Sequence, residues 1–396
     1  VNVQSNGKNG DIPLLLYRLM KLPQRKGTGE KEISALLRNS VKDPQKKRIL
    51  ELILQIRKVR KTRGTYIDAE VDHRGRLLTS YRIMLSTGRT STSILKPPVS
   101  TVKMGLAFQT ITKHGEDSDV GADLRTMMIP DPGYIFIEPD LSQAEARVVA
   151  VLARDEKLLK MFEYEVDIHR VTAGWIEGNC PDDLLNEFFN AGAIASLDLA
   201  KRINEILKKR ITQNSRQIGK MFRHAGHLGV GKRTAGENAG TSEWRAGQIL
   251  TQFHATNPKI KSVFHAGIID ALQHNQRILI SPHGRRRQFL DKWGDELFKE
   301  AYAQIPQATV SDHLKFAAQR IERRAPYLQI LQESHDSFLG QIPIGMEDKL
   351  IPIIQEELET PIDFTLCTLP TDVKSLIIPC EIGIGKANWK EMIKIA

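Results

Sequence analysis

The 396-residue chain carries 57 Lys and Arg against 47 Asp and Glu, a formal charge of +10, and 41% of it is apolar. That balance excludes collagen-like, coiled-coil and disordered classes and suffices for about two to three packed domains or subdomains. Cys180, Cys367 and Cys380 are too widely spaced for a CxxC pair and odd in number, which disfavours structural zinc and a disulfide framework and fits a reducing compartment. No run of about eighteen apolar residues and no signal peptide is visible, so a soluble intracellular protein is expected. The opening segment VNVQSNGKNG starts at Val1, which suggests a fragment lacking an N-terminal portion. The positive charge admits a polyanionic partner without establishing one.

In chain order, the first strong pattern is a helix over Lys46–Arg63. Ile49, Leu52, Ile53, Ile56 and Val59 form its apolar stripe, and Arg57, Lys58, Arg60, Lys61 and Arg63 crowd its end. Those cations either answer the negative end of the helix dipole or contact phosphates. From Val71 to Lys113 the chain reads as irregular and strand-like, with turn chemistry at HRGR (His73–Arg76) and a hydroxyl cluster at TGRTSTS (Thr87–Ser93). Tyr134–Pro139 then reads as a buried strand ending at Asp140. A helix follows, and Ser142 with Glu145 matches an S-x-x-E capping box. Residues 170–299 read as helical and basic. Tyr327–Gln332 and Phe338–Pro343 pair as a hairpin whose turn holds Ser334, His335, Asp336 and Ser337.

Two features point to chemistry. Arg216, Lys220 and His224 recur at i, i+4 and i+8 on one helix face, flanked by Arg223 and His227. Like charges four apart cost roughly 0.2–0.5 kcal/mol per pair, so the face is either solvated or receives an anion such as a triphosphate. Asp140 and Asp336 end rigid elements. Their carboxylates are the hard oxygen ligands that Mg²⁺ prefers, although sequence spacing does not bring them together.

With those residues in place, the sequence resembles the family A, DNA polymerase I-like, DNA polymerases. DLSQAEAR (Asp140–Arg147) resembles the family's motif A, RQIGKMFRHAGHLG (Arg216–Gly229) its motif B, and LQESHDS (Leu331–Ser337) its motif C. Lesser matches fall in order around them: TGRTSTS with FQTI (Phe108–Ile111), DIHRVTA (Asp167–Ala173), GRRR (Gly284–Arg287), IPQAT (Ile305–Thr309) and EIGIGKANW (Glu381–Trp389). KLP and KTRGTYID near the start resemble part of the family's thumb.

The resemblance implies an α+β right-hand fold with an antiparallel palm sheet, helical fingers and a partial helical thumb. Its boundaries are thumb 1–70, palm 71–169 and 299–396, and fingers 170–298. The implied activity is template-directed addition of deoxynucleotides to a primer 3′-hydroxyl in replication or repair. It uses two Mg²⁺ ions, for which Mn²⁺ substitutes, held by Asp140, Asp336 and the Leu141 carbonyl. Arg216, Lys220, His169, His224, Gln143 and Glu145 would meet the nucleotide, Lys220 protonating the pyrophosphate and Glu145 excluding a 2′-hydroxyl. Arg89, Gln307, His335, Arg57, Lys61 and Arg63 would meet DNA.

Primer-template DNA and dNTPs are the implied partners of a monomer, with accessory replication factors and without a membrane. The implied location is the cytoplasm or nucleoid, or a host's cytoplasm for a viral protein. His224, Leu228 and Ser337 depart from the motifs, where an aromatic, a tyrosine and a glutamate are usual. They suggest a phage-type branch and leave a degenerate DNA-binding subunit as the alternative function. RNA synthesis on a related fold is a third reading, and Glu145 argues against it.

Overall fold

The computed structural model describes residues 2, 7, 10–83, 85–95, 105–111 and 124–395. Part of the strand-like stretch expected over Val71–Lys113, and the expectation for Val1, therefore lie outside the described residues. The chain divides into two compact units, residues 1–81 with 92–128 and residues 82–91 with 129–396. The short strands β1 (Ser80–Arg82) and β2 (Ser91–Ser93) lie where the chain passes from one unit to the other.

The first unit is helical. A short turn, α1 (Asp11–Pro13), precedes α2 (Glu30–Asn39) and α3 (Pro44–Thr62). Asp43 caps α3 by accepting from the Gln45 and Lys46 amides, and Pro44 fits the first turn, where an N–H is dispensable. Ile12, Leu16, Ile33, Leu36, Leu50 and Ile53 make its core. This corrects the expected stripe on α3: Leu50 and Ile53 are buried, whereas Leu52, Ile56 and Val59 are exposed. Only the N-terminal half of the helix meets the hydrophobic cluster, so periodicity alone could not choose the buried face.

The second unit is built on an antiparallel sheet in the order β11 (Ile393–Lys394), β10 (Cys380–Gly385), β3 (Tyr134–Leu141), β7 (Phe338–Pro343) and β6 (Gln329–Glu333). Its central strand β3 (Tyr134–Leu141) is nearly all buried, as its continuous apolar run requires. The neighbours are the hairpin β6 (Gln329–Glu333) and β7 (Phe338–Pro343) on one side and β10 (Cys380–Gly385) with β11 (Ile393–Lys394) on the other. The β6 strand is shifted from the expected Tyr327–Gln332, and a register irregularity between Ile330 and Gln332 leaves Leu331 exposed.

Helices α4 (Ala144–Leu152), α13 (Asp295–Arg324) and α14 (Glu347–Leu358) share one core with this sheet through Val148, Val149, Ile305, Leu314 and Ile354. Between strand β3 and helix α13 the chain adds α5 (Glu156–Glu163), α6 (Ile168–Glu177), α7 (Asp182–Asn190), α8 (Ala193–Arg210), α9 (Gln213–His227), α10 (Lys232–Asn238), α11 (Glu243–Thr256) and α12 (Ala266–His274). The expected helical stretch is interrupted by a hairpin of β4 (Ile278–Ile280) and β5 (Arg286–Gln288), with Gly284 at φ +81° in its turn. Strands this short carry too little alternation to be read from sequence. Two-residue strands β8 (Ile362–Asp363) and β9 (Ser375–Leu376) pair near the end. No helix among the described residues is long and apolar enough to cross a membrane.

Helix α9 crosses α6 at Gly219. A Cβ there would lie 2.3 Å from the His169 carbonyl oxygen and 2.9 Å from the Ala173 amide nitrogen, both backbone atoms. Alanine is the better helix former by about 0.5–1 kcal/mol, yet here it must push the helices apart. Gly219→Ala is therefore expected to destabilise the protein by about 1–3 kcal/mol, read as a lower denaturant midpoint. A raised midpoint would mean that the crossing yields easily.

Candidate active site

Two loops meet at the end of β3. Asp140 forms an isolated antiparallel bridge with Ser337, and the Leu141 amide donates to the Asp336 carbonyl at 2.9 Å. The Ser334 amide donates to the Ser337 carbonyl at 2.7 Å, closing the hairpin turn that carries His335 and Asp336. The backbone thus sets Asp140, at the end of β3, next to the turn that carries Asp336, which sequence spacing could not establish. Both are half-buried, and Ser337 is buried. Glu381 stands opposite Asp140 in register on β10 and is ion-paired with Lys394.

The start of α4 corrects the expected capping box. Gln143, not Ser142, is the N-cap, at a left-handed φ of +52° and with no side-chain cap bond. The Ser142 amide donates to the Pro379 carbonyl at 2.9 Å, and the Ser142 carbonyl accepts from Arg147 Nε at 3.0 Å. Glu145 turns instead to Arg89, with which it is ion-paired. Gln143 Oε1 and Glu145 Oε2 are buried without a hydrogen-bond partner among the described residues.

On α9, Arg216 is half-buried while Lys220 and His224 are exposed on successive turns, as the i, i+4, i+8 spacing predicts. Arg216 Nε donates to Asp167 Oδ2 at 2.7 Å. The other oxygen of Asp167 accepts from the His169 and Arg170 amides, capping α6, so one carboxylate aligns both helices. Burial opposes ionisation of Asp167, but Arg216 and the Arg170 amide outweigh it and hold its pKa below the ordinary value. Its role went unseen in the sequence, although an Asp just ahead of a helical run is a cap signal.

Four of the expected basic side chains are corrected. His169 is buried with Nδ1 lacking a hydrogen-bond partner among the described residues, and its pKa is lowered to about 3 by burial and then by Arg223 and Arg216. His224 is also pulled below the ordinary value, by desolvation from the surrounding protein and the charges of Arg89 and Lys220. Arg223 does not flank the face at all. It is 1% exposed, donates from Nε to Thr172 Oγ1 at 2.9 Å, and leaves both terminal nitrogens without a hydrogen-bond partner among the described residues. Burial lowers its pKa only to about 10, so it stays charged at neutral pH and helps to keep His169 neutral. His227 is buried and likewise held well below its ordinary pKa, chiefly by burial and then by Arg223.

These shifts predict a pH dependence. Above pH 6.5 the imidazoles are neutral in both folded and unfolded chains and contribute nothing. As pH falls below 6.5, the unfolded chain binds protons that folded His169 refuses, so stability declines progressively toward pH 3. The facing groups Arg223, Arg216 and Lys220 all oppose protonation, and only Asp167 favours it. Denaturant midpoints measured from pH 8 to pH 4.5 are expected to be flat and then fall, with a shallower fall in His169→Asn. An equal fall in that variant would remove His169 from the account.

Of the residues expected to meet DNA, Arg89 lies against Glu145, His335 is exposed beside Asp336, and Gln307 is half-buried on α13. In the first unit, Arg57 donates to the Thr28 carbonyl at 2.5 Å and Arg63 pairs with Asp68 at 3.2 Å, while Lys61 is exposed. The GRRR arginines serve the interior of the second unit in part: Arg285 holds Asp312 through two bonds, and Arg287 reaches Gln304.

The profile of DNA polymerase family A matches residues 1–187. DNA polymerase I of Borreliella burgdorferi is 22% identical over 354 residues, spanning 86% of this chain and 34% of that protein. The thermostable DNA polymerase I of Thermus aquaticus is 31% identical over 368 residues, spanning 90% and 38%. A structure described as the POL domain of Pol1 from M. smegmatis in complex with DNA primer-template and dNTP has the same fold, with a TM-score of 0.72 and 18% identity over 98% of this chain and 61% of that one. Residues 1–187 thus resemble the DNA polymerase family A profile, and the chain as a whole has the α+β fold of a polymerase domain. The chain spans about a third of the length of the curated relatives it matches.

Proposed function

We propose that this chain is a DNA-directed DNA polymerase that extends a primer 3′-hydroxyl with deoxynucleotides on a DNA template, in replication or repair. The observation that carries the reading is the bridge that sets Asp140 beside Asp336, in the same unit as the Arg216–Lys220 face. In this reading residues 1–70 are a partial thumb, 71–169 and 299–396 the palm, and 170–298 the fingers. Primer-template DNA and dNTPs are the partners, and the chain acts as a monomer.

The donor set fits Mg²⁺. Two carboxylates and the Leu141 carbonyl are hard oxygen ligands, and among the described residues no third His, Cys, Asp or Glu joins them. Mg²⁺ is content with one or two carboxylates, completing its shell with water and substrate phosphates. Asp140 and Asp336 would hold two such ions, which supply charge neutralisation for the attacking and leaving oxygens. Mn²⁺ would substitute at the same oxygens.

The remaining work falls to the protein's own groups. Arg216, oriented by Asp167, and exposed Lys220 supply positive charge to a triphosphate, and Lys220 is placed to give a proton to departing pyrophosphate. His169 takes part as a neutral hydrogen-bonding imidazole rather than as a cation. Glu145 and Gln143 border the sugar, where Glu145 excludes a 2′-hydroxyl, and His224 lies at the position of the usual aromatic. Arg89, Gln307 and His335 face the primer-template, and Lys61, with Arg57 and Arg63, adds a basic contact to the backbone.

The test is extension of a labelled primer-template by the purified chain with Mg²⁺ and dNTPs. Metal-dependent extension is expected. DNA binding without any extension would favour the degenerate binding subunit, to which the departures at His224, Leu228 and Ser337 point.

A further inference from the structure

The loop before and after Arg89 is pinned at every turn. The Ser86 carbonyl accepts from Gln304 at 3.1 Å, the Gly88 carbonyl accepts from Lys315, and Thr90 Oγ1 donates to Glu333 Oε1 at 3.1 Å. Gly88 has φ +74°, and a Cβ there would lie 2.7 Å from the guanidinium of Arg285, which is itself fixed by two bonds to Asp312. A loop this constrained presents the Arg89 side chain in one direction. That direction is toward Glu145, and both side chains are only about a fifth exposed.

One carboxylate oxygen of Glu145 takes the ion pair, and the other is buried with no hydrogen-bond partner among the described residues. The N-cap residue Gln143 makes no side-chain cap bond, and the ion pair with Arg89 is the side-chain bond that holds Glu145 among the described residues. A carboxylate in that state, deprived of its counter-ion, is driven to swing toward water, because an unpaired buried charge is costly.

We propose that Arg89 is a positioning residue for Glu145 and thereby a determinant of sugar selection, rather than a DNA contact alone. The proposal rests on reading Glu145 as the group that excludes a 2′-hydroxyl. Without Arg89 the carboxylate leaves the sugar's edge, and ribonucleotides gain access.

The measurement is kcat/KM for one dNTP and its matching rNTP on the same primer-template, using the full chain. The ratio of the two cancels any change in DNA affinity, since both substrates enter the same complex. Glu145→Ala should raise relative ribonucleotide use roughly tenfold, the scale of discrimination that a steric contact provides. Arg89→Met should raise it severalfold, Arg89→Lys should restore part of the discrimination, and Arg89→Met should add nothing in a Glu145→Ala background.

A ratio that rises in Glu145→Ala but not in Arg89→Met would overturn the proposal while leaving the role of Glu145 intact. A rise of equal size from Arg89→Met with and without Glu145 would overturn it too, because Arg89 would then act by another route. No change in Glu145→Ala would instead remove the reading of Glu145 itself, and the proposal with it.

Discussion

Asp336→Asn should abolish primer extension, lowering the single-turnover rate by about 10³-fold or more, while primer-template affinity stays within about twofold of wild type. The substitution is nearly isosteric, and the turn is held by backbone bonds: Ser334 N–H to the Ser337 carbonyl and Leu141 N–H to the Asp336 carbonyl. Neither needs the carboxylate, so the geometry should survive while a charged oxygen ligand is lost. Asp140→Asn should behave alike, because the bridge to Ser337 is also a backbone pairing. Quench-flow extension beside a DNA titration checks both variants. Near-wild-type extension in either would exclude a centre built on these two carboxylates.

The parts of this site that could be read from sequence are those written in local pattern. The continuous apolar run Tyr134–Ile137 gave a central strand, and the cations of α9 came out on one face as their spacing requires. The hairpin turn carrying Asp336 was legible because β7 keeps the expected bounds, Phe338–Pro343. What was not legible depends on partners distant in the chain. Glu145 satisfies a local capping pattern, yet Pro379 takes the Ser142 amide and Arg89 takes the carboxylate, so tertiary contacts override the local rule. Asp167 and Arg216 are 49 residues apart, and only the crossing of α6 and α9 at Gly219 makes them neighbours. Charge state was the least legible of all. The resemblance sets His169 among the groups that meet the nucleotide, but His169 is neutral at physiological pH once burial and three basic neighbours act on it.

That distinction sharpens the second large prediction, which concerns Arg216 and Lys220. If the α9 face receives the triphosphate, replacing either residue by Ala should cut kcat/KM for dNTP by about 10²-fold and leave DNA affinity nearly unchanged. The two losses should differ in kind. Arg216 is already oriented by Asp167 in the absence of substrate, so its contribution is preformed binding and its removal should raise KM above all. Lys220 is exposed, with no ion pair among the described residues, and is free to follow charge as it develops on the leaving group. Its removal should lower kcat more than it raises KM. Steady-state kinetics with a DNA titration on each variant separates these outcomes. Equal losses in nucleotide use and DNA affinity would place the face on the duplex, and a loss confined to KM in Lys220→Ala would mean that this lysine binds the nucleotide without assisting pyrophosphate departure.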